Sequence, residues 1–321
     1  MNYENIRQRK SQFESVTGLK MEEFDYLYQE FAPRWKKFYR YHTIEGKKRK
    51  HPHPNPGKQT GTLPSIAEKL FFLLVYLKNY SLQEMMAASF GFSQSNASKW
   101  VKVLRPILVD SLKGLTLLPE TESSKVAQKL EQLGETQCFL DATERPINKS
   151  LDRDTEEQFY SGKKKVHTVK NNLISTKDQY IIYLSQTHEG TMHDKKIAEQ
   201  EACKFPDGIH LVQDKGYDGY APENVHIVQP FKKPKKKELP ELHKWFNTYV
   251  SKIRIVIENA INGVKRCRIV KDKCRHFCQQ FRHQIMLICA GLHNLRVKSP
   301  FRAYKGKNKW TPVRANKIIF E

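Results

Sequence analysis

Residues Ser251–Val270 read S-K-I-R-I-V-I-E-N-A-I-N-G-V-K-R-C-R-I-V, and two patterns share one helical period there. Ile253, Ile257, Ala260, Ile261, Val264 and Cys267 recur at the spacing of a buried helix face. Arg254, Glu258 and Lys265 fall on another face, because at about 100° per residue their spacing leaves them within roughly 40° of one another. One acid therefore lies between two bases on a short polar stripe. On an isolated helix such a stripe is a solvated salt-bridge ladder and nothing more. Two stretches upstream give it another meaning.

Gln137–Asp141 (Q-C-F-L-D) and His210–Asp214 (H-L-V-Q-D) are short apolar strands that each end in an acid. Between them, Val166–Ile174 and Gln179–Thr187 alternate in polarity and form a hairpin turning at Ser175–Asp178, and His193–Lys204 reads as a helix. Val225–Gln229 is a further strand, and an apolar helix over Phe277–Leu295 closes the series. This order predicts an α/β domain with a mixed sheet flanked by helices. Acids at the ends of buried strands need a compensating charge, so Asp141 and Asp214 call for a cation. With those strands adjacent and the Glu258 helix beside them, three carboxylates meet at one point. Three hard oxygen ligands suit magnesium or manganese. A pair of such ions activates water, or a DNA 3′-hydroxyl, for in-line attack on a phosphodiester. Arg254 and Lys265 would then hold the scissile strand by its phosphates.

Composition agrees with that partner. Among 321 residues, 56 Lys+Arg against 34 Asp+Glu give a formal charge of +22, which points to a polyanion, nucleic acid before an anionic membrane surface. The longest apolar runs, Leu70–Leu77 and Ile285–Leu292, are too short to span a bilayer, and the first residues lack the apolar core of a secretory signal. A cytoplasmic protein is the expectation. The six cysteines include no C-x-x-C pair; Cys274 and Cys278 flank His276 as half of a metal site at most, and reduced, buried thiols are the better reading.

The first part of the chain is helical. Phe24, Leu27, Phe31, Trp35 and Phe38 mark an amphipathic helix from Lys20 to Tyr41 with a kink at Pro33. His42–Leu63, with G-K-K-R-K and H-P-H-P-N-P-G-K, is a basic, proline-rich spacer or DNA-facing loop. A helix over Pro64–Asn79 follows, with Pro64 in its first turn. Ser81–Glu84 carries a capping-box signature, a short helix runs to Phe90, Gly91 breaks it, and Ser93 caps a second helix through Leu104. Helix, glycine turn, helix is the helix-turn-helix pattern, which plain helical hairpins also show. Gln94, Ser95, Asn96, Ser98, Lys99 and Lys102 face outward, with side chains suited to base edges and phosphates. A helix over Ser124–Leu133 leads into the strands. Two lysine-rich stretches, Lys232–Lys237 and the tail from Arg296, read as low-complexity and mobile.

The combination resembles a known family. The element order looks like the RNase H-like fold. D-A-T-E at Asp141, Asp214 within Q-D-K-G-Y, and R-x3-E-x6-K at Arg254, Glu258 and Lys265 resemble the DDE transposases of bacterial insertion sequences, most closely insertion-sequence family five. Y-S-G-K-K-K-V-H-T from Tyr160, G-T-M-H-D-K-K from Gly190 and D-K-G-Y-D-G-Y from Asp214 support it, so that the resemblance covers roughly residues 15–298. It implies that Asp141, Asp214 and Glu258 are a metal-binding catalytic triad holding Mg2+ or Mn2+, two ions per site. Arg254 and Lys265 belong to the signature around the glutamate. The signature's tyrosine falls on Ser251, with Tyr249 two residues away.

Around the triad, Lys163, Lys164 and Lys165 are candidate DNA contacts, or a solvated face. Glu144 leans toward the metal or caps the strand end, and His193 and Asp194 assist the acids, Asp194 being equally placed as a helix N-cap. His167 reads as structural. The expected divisions are residues 1–62, helix and linker; 63–120, helix-turn-helix; 121–298, catalytic; and 299–321, basic tail. The expected function is cleavage at the element's terminal repeats and joining of 3′-hydroxyl ends to target DNA, by a homodimer on double-stranded DNA. The alternatives are a non-transposing DNA-binding regulator on the same fold and a structure-selective nuclease.

Overall fold

The computed structural model describes residues 1–56, 61–149, 153–234 and 238–302. The chain divides into two compact units, the first comprising Met1–Leu118, Arg266–Ile269 and the segment from Asn294, the second Pro119–Lys265 and Val270–His293.

The first unit is all helical: α1 (Tyr3–Arg7), α2 (Lys10–Thr17), α3 (Met21–Tyr41), α4 (Ile66–Asn79), α5 (Gln83–Phe90) and α6 (Gln94–Gly114). Its core is aromatic. Phe13 lies 5.3 Å from Phe24 and 5.9 Å from Phe71, and Trp35 lies 5.7 Å from Trp100. Those rings join α2 and α3 to α4 and α6. Residues 1–118, which take in the stretch 1–62 and most of 63–120, fall in this unit. Arg302 closes it from the far end of the chain, donating to Glu14 and Glu23 at 2.7 Å each.

Several boundaries differ from the sequence reading for identifiable reasons. Ser65, not Pro64, begins the fourth helix, with a capping box in which Ser65 Oγ accepts from the Glu68 amide and the Glu68 carboxylate accepts from that of Ser65. Leu82, not Ser81, holds the cap position of α5, without a side-chain cap. Helix α6 does not stop at Leu104 but passes through Pro106, because Ile107, Leu108, Ser111 and Leu112 continue its buried stripe while the proline ring faces solvent. Pro33 likewise sits exposed inside an uninterrupted α3. The basic stretch after His42 folds back on the end of α3: the Arg49 amide donates to Tyr41 O at 2.7 Å and its guanidinium lies over the Tyr39 ring. Residues 57–60 of that stretch, residues 235–237 of the lysine-rich patch and the tail from 303 lie outside the described residues.

The second unit holds the sheet. Its elements in order are α7 (Val126–Leu133), β1 (Gln137–Pro146), α8 (Arg153–Phe159), β2 (Tyr160–Ser161), β3 (Val166–Thr176), β4 (Ile181–Leu184), β5 (His188–Glu189), α9 (Asp194–Glu201), β6 (Ile209–Gln213), β7 (Val225–Val228), α10 (Glu241–Val264), α11 (Arg268–Lys271) and α12 (Gln279–Lys298). Arg268 and Ile269 of α11, and α12 from Asn294 on, are grouped with the first unit. The strand order is β2-β3-β1-β6-β7, with β4 and β5 also on β3. β3 pairs antiparallel with β1 and β4, whereas β6 is parallel to β1 and β7 to β6. An antiparallel hairpin system extended by parallel strands, flanked by helices, is the mixed α/β architecture of the RNase H-like fold. Val250, Ile257, Ala260, Ile261 and Val264 are the buried residues of α10. Each fully buried aliphatic side chain among them contributes about 2 kcal/mol.

Asp141 does not end its strand. β1 runs on to Pro146 because β3 continues to pair with it after β6 has stopped: the parallel register ends at Leu140↔Gln213, and Asp141 is the first residue beyond it. Asp214 immediately follows β6. Both acids thus stand where two neighbouring parallel strands part.

Candidate active site and recognition face

Arg254, half-buried on α10, reaches both acids. Its two terminal nitrogens donate to Asp214 at 3.0 Å and to Asp141 at 3.4 Å. Asp141 also accepts from its neighbour's amide, Ala142 N, at 2.8 Å. Burial pushes the Asp141 carboxyl up to about 6, outweighing the pull of Arg254 and that amide, and the negative charges of Asp214 and Asp194 push the same way. Arg254 Nε is buried without a hydrogen-bond partner. An unmet buried donor costs about 1–3 kcal/mol, so the guanidinium satisfies this position incompletely.

Beneath the acids lies Tyr217, fully buried in the turn after Asp214. Burial first, then the charges of Asp141, Asp194 and Asp214, raise its hydroxyl well above the ordinary tyrosine range, so it stays a donor. It donates to Asn172 Oδ1 at 3.1 Å, and the Asn172 amide donates to Asp194 O at 3.0 Å. This chain fixes the start of α9 beside the acids. Asp194 is the first residue of α9, and His193, exposed, takes the N-cap position without a side-chain cap. The carboxylate of Asp194 is drawn instead to Lys170 Nζ at 3.1 Å, which leaves it no role as a cap.

Glu144 is likewise engaged. It accepts from Ser161 Oγ at 3.0 Å and pairs with Lys170 at 3.3 Å, the residue opposite it across the β1–β3 ladder. Ser161 Oγ in turn accepts from the Lys164 amide at 3.2 Å, so Glu144 anchors the turn that presents exposed Lys163, Lys164 and Lys165. Lys265, at the C-cap of α10, is half-buried; burial lowers its ammonium, as do Lys164 and Arg145, while Asp141 and Glu144 raise it. It therefore stands within the electrostatic reach of the acids.

Glu258 is placed differently. It is exposed on α10, one turn beyond Arg254. Among the described residues no three His, Cys, Asp or Glu side chains stand close enough to share a metal ion. Asp141 and Asp214 do fit a hard cation: they are carboxylate oxygens from adjacent strands facing a single positive group, in surroundings that hold Asp141 more protonated than one guanidinium can correct. Sequence reasoning missed Lys170, Ser161, Asn172 and Tyr217. The Glu144–Lys170 charge pair was accessible only through the strand register, and Tyr217 carried no signal beyond its place in D-K-G-Y.

In the helical unit, Gln94, Ser95, Ser98, Lys99 and Lys102 are exposed along α6, Asn96 is half-buried, and Ala97, Trp100, Val101 and Leu104 face the core. Ser93 Oγ caps α6 through the Asn96 amide, and Gly91 breaks α5 at a φ of 76° that favours glycine. Gln94 is tied to Gln83 across the turn at 2.9 Å, and Lys99 lies 3.5 Å from Glu45. None of the cysteines is in a disulfide, and all but Cys278 are buried.

Residues 140–294, spanning both aspartates and the Arg254–Lys265 helix, match the family model described as DDE superfamily endonuclease, and residues 61–114 match the helix-turn-helix of DDE superfamily endonuclease. The two matched segments are an endonuclease domain and the helix-turn-helix that accompanies it, and they support a DDE transposase of an insertion sequence. The chain is similar to the probable transposase for insertion sequence element IS702 of Microchaete diplosiphon, 28% identical over 240 residues that cover 74% of this chain and 83% of that protein. No solved structure matches it. No helix among the described residues is long and apolar enough to cross a membrane.

Proposed function

We propose that this transposase binds the terminal inverted repeats of its element, cuts the DNA at their ends by metal-dependent hydrolysis, and joins the resulting 3′-hydroxyls to target DNA. The observation that carries the reading is the pair of carboxylates, Asp141 and Asp214, held on one cationic group where two parallel strands part. Asp141 and Asp214 would hold Mg2+ or Mn2+, with Glu258 completing the triad from α10. Ions held there would supply a lowered pKa for an attacking water and charge stabilisation for the leaving oxygen. Arg254, released from the acids, and Lys265 hold the non-bridging oxygens of the scissile phosphate. Exposed Lys163–Lys165 hold the flanking strand, and Glu144 keeps their turn in place through Ser161. The α6 face reads the repeat. The reaction takes place on cellular DNA in the cytoplasm.

The test is cleavage of supercoiled plasmid carrying the repeats that flank this gene, with magnesium, manganese or EDTA. Asp141→Asn, Asp214→Asn and Glu258→Gln are each expected to abolish metal-dependent cutting while retaining repeat DNA in a gel-shift assay. Loss of binding in step with loss of cutting would sink the triad. A second reading, a DNA-binding regulator that does not cut, is favoured by exposed Glu258 and by Ser251 in place of a tyrosine. Tight repeat binding by a wild type that never cuts would select it.

A further inference from the structure

The basic stretch after α3 is folded, and the matched helix-turn-helix, which begins at residue 61, does not include it. His42 bridges Lys48 in the antiparallel sense, which makes residues 42–48 a small hairpin. Across its turn the Thr43 amide donates to Lys47 O at 2.8 Å and the Gly46 amide to Thr43 O at 2.9 Å, with Gly46 at a φ of 80° that favours glycine. Arg49 pins the hairpin to α3: besides covering the Tyr39 ring, its Nε donates to Tyr39 O at 3.1 Å and to His42 O at 3.0 Å. The chain is tied down again at His53, whose amide donates to Arg40 O at 2.8 Å and whose ring lies 5.1 Å from that of Tyr39.

This anchoring leaves Lys47, Lys48 and Lys50 exposed. With Arg49 they form four successive cations, and Glu45 is the one acid between His42 and Leu63. Like charges held together on an ordered hairpin repel one another until a polyanion neutralises them, so a plain spacer gains nothing from this arrangement. Glu45 shows where the hairpin lies. It reaches Lys99 on the exposed face of α6 at 3.5 Å, a pair that adds little stability but sets the turn against that helix. Successive strand residues point to opposite sides, and Arg49 turns inward onto Tyr39, so Lys48 and Lys50 share the outward side, about 6.6 Å apart along the strand. In a helix-turn-helix the first residues of the second helix meet base edges in the major groove. Lys99, more than a turn further along α6, then stands at the edge of the groove, where the sugar-phosphate backbone runs, and the hairpin extends that basic edge. We infer that Lys48 and Lys50 hold phosphates of the duplex strand bordering the groove that α6 enters, an inference that rests on the proposed reading of α6. Contacts of this kind carry no sequence information; they fix the register and depth at which α6 sits.

The full chain carrying Lys48→Ala with Lys50→Ala is titrated, across a range of salt, onto a duplex of the flanking repeat and onto an unrelated duplex of equal length. The slope of log affinity against log salt is expected to fall by about 1.8 on both duplexes, about 0.9 for each phosphate no longer neutralised. Affinity drops by the same factor on each, and the ratio between repeat and unrelated DNA stays that of wild type. Lys48→Gln with Lys50→Gln reproduces the loss should the alanine pair fail to fold, and Lys48→Arg with Lys50→Arg keeps the wild-type slope. In ethylation interference, about two phosphates beside the bases covered by α6, one per lysine, cease to matter to the alanine pair. Slopes that stay at the wild-type value in both the alanine and glutamine pairs overturn the inference and make the hairpin a solvated face. A fall in the repeat-to-unrelated ratio also overturns it, because the lysines then read base edges. Equal binding of both duplexes by wild type, with the same loss of slope in the alanine pair, removes repeat reading from α6 and leaves the phosphate contact standing. Wild type that binds neither duplex overturns both.

Discussion

Two cations, one half-buried and one fully buried, show how much a side chain's surroundings decide. Arg254 is held by two carboxylates and serves as the counter-ion that the strand-end acids need. Lys69, fully buried in the helical unit, meets backbone and rings instead: its Nζ donates to Leu63 O and, at 3.1 Å, to Ser65 O, and it lies 5.4 and 5.3 Å from the centroids of Trp35 and Trp100. The carbonyls and indole faces favour the ammonium, but burial wins and pulls Lys69 down to about 7. The folded pKa is thus depressed below the unfolded value of about 10.4. Between about pH 7 and 10 the unfolded chain carries the extra proton, so stability rises with pH there, by up to about 1.4 kcal/mol per unit; below pH 7 both states are protonated and the dependence vanishes. Melting at pH 7 and pH 8.5 checks this: the midpoint of wild type is expected to rise relative to that of Lys69→Met. Equal rises in both would mean that Lys69 keeps its proton in the fold.

Among the elements, α6 and α10 were legible to different degrees. The polar face of α6 could be read from spacing alone because its core face is strictly periodic, and every residue expected outward is exposed or half-buried. Its end could not be read, since a proline facing solvent looks the same in sequence as one that breaks a helix. For α10 the buried stripe was legible, and so was the polar stripe of Arg254, Glu258 and Lys265. What the stripe touches was not: the contact of Arg254 with Asp141 spans 113 residues of sequence and depends on β6 stopping at Gln213 while β1 continues. The same is true of Lys170, which acquires its meaning only from the register opposite Glu144. Short-range periodicity thus carries elements and faces, whereas long-range ion pairs are set by strand lengths that local sequence does not fix. For α6 the prediction is electrostatic. Lys99→Ala and Lys102→Ala should each weaken repeat binding and lower the slope of log affinity against log salt by about one, as expected when one phosphate is no longer neutralised by the protein. An unchanged slope in both variants would turn this face away from DNA.

Over the whole molecule, chemistry and stoichiometry are linked. Asp141, Asp214, Arg254, Glu258 and Lys265 all belong to one compact unit of one chain, so each chain carries a single candidate site. An insertion element has two ends, and a site that must hold one scissile phosphate while another is cut serves them one at a time. If the proposed cut-and-paste reading holds, coordinated excision would call for two chains on paired ends, a symmetric dimer in which each protomer cuts one end. The net charge of +22 drives both duplexes onto protein without distinguishing one chain from two, so affinity alone is no test. Mixing is. Wild type and Glu258→Gln, combined in equal amounts on DNA carrying both ends, should leave about a quarter of complexes able to cut both ends and about half able to cut only one, as random pairing in a dimer requires. If double-end cutting instead falls only in proportion to the wild-type fraction, with no excess of single-end products, each chain works on both ends by itself and the dimer is not needed.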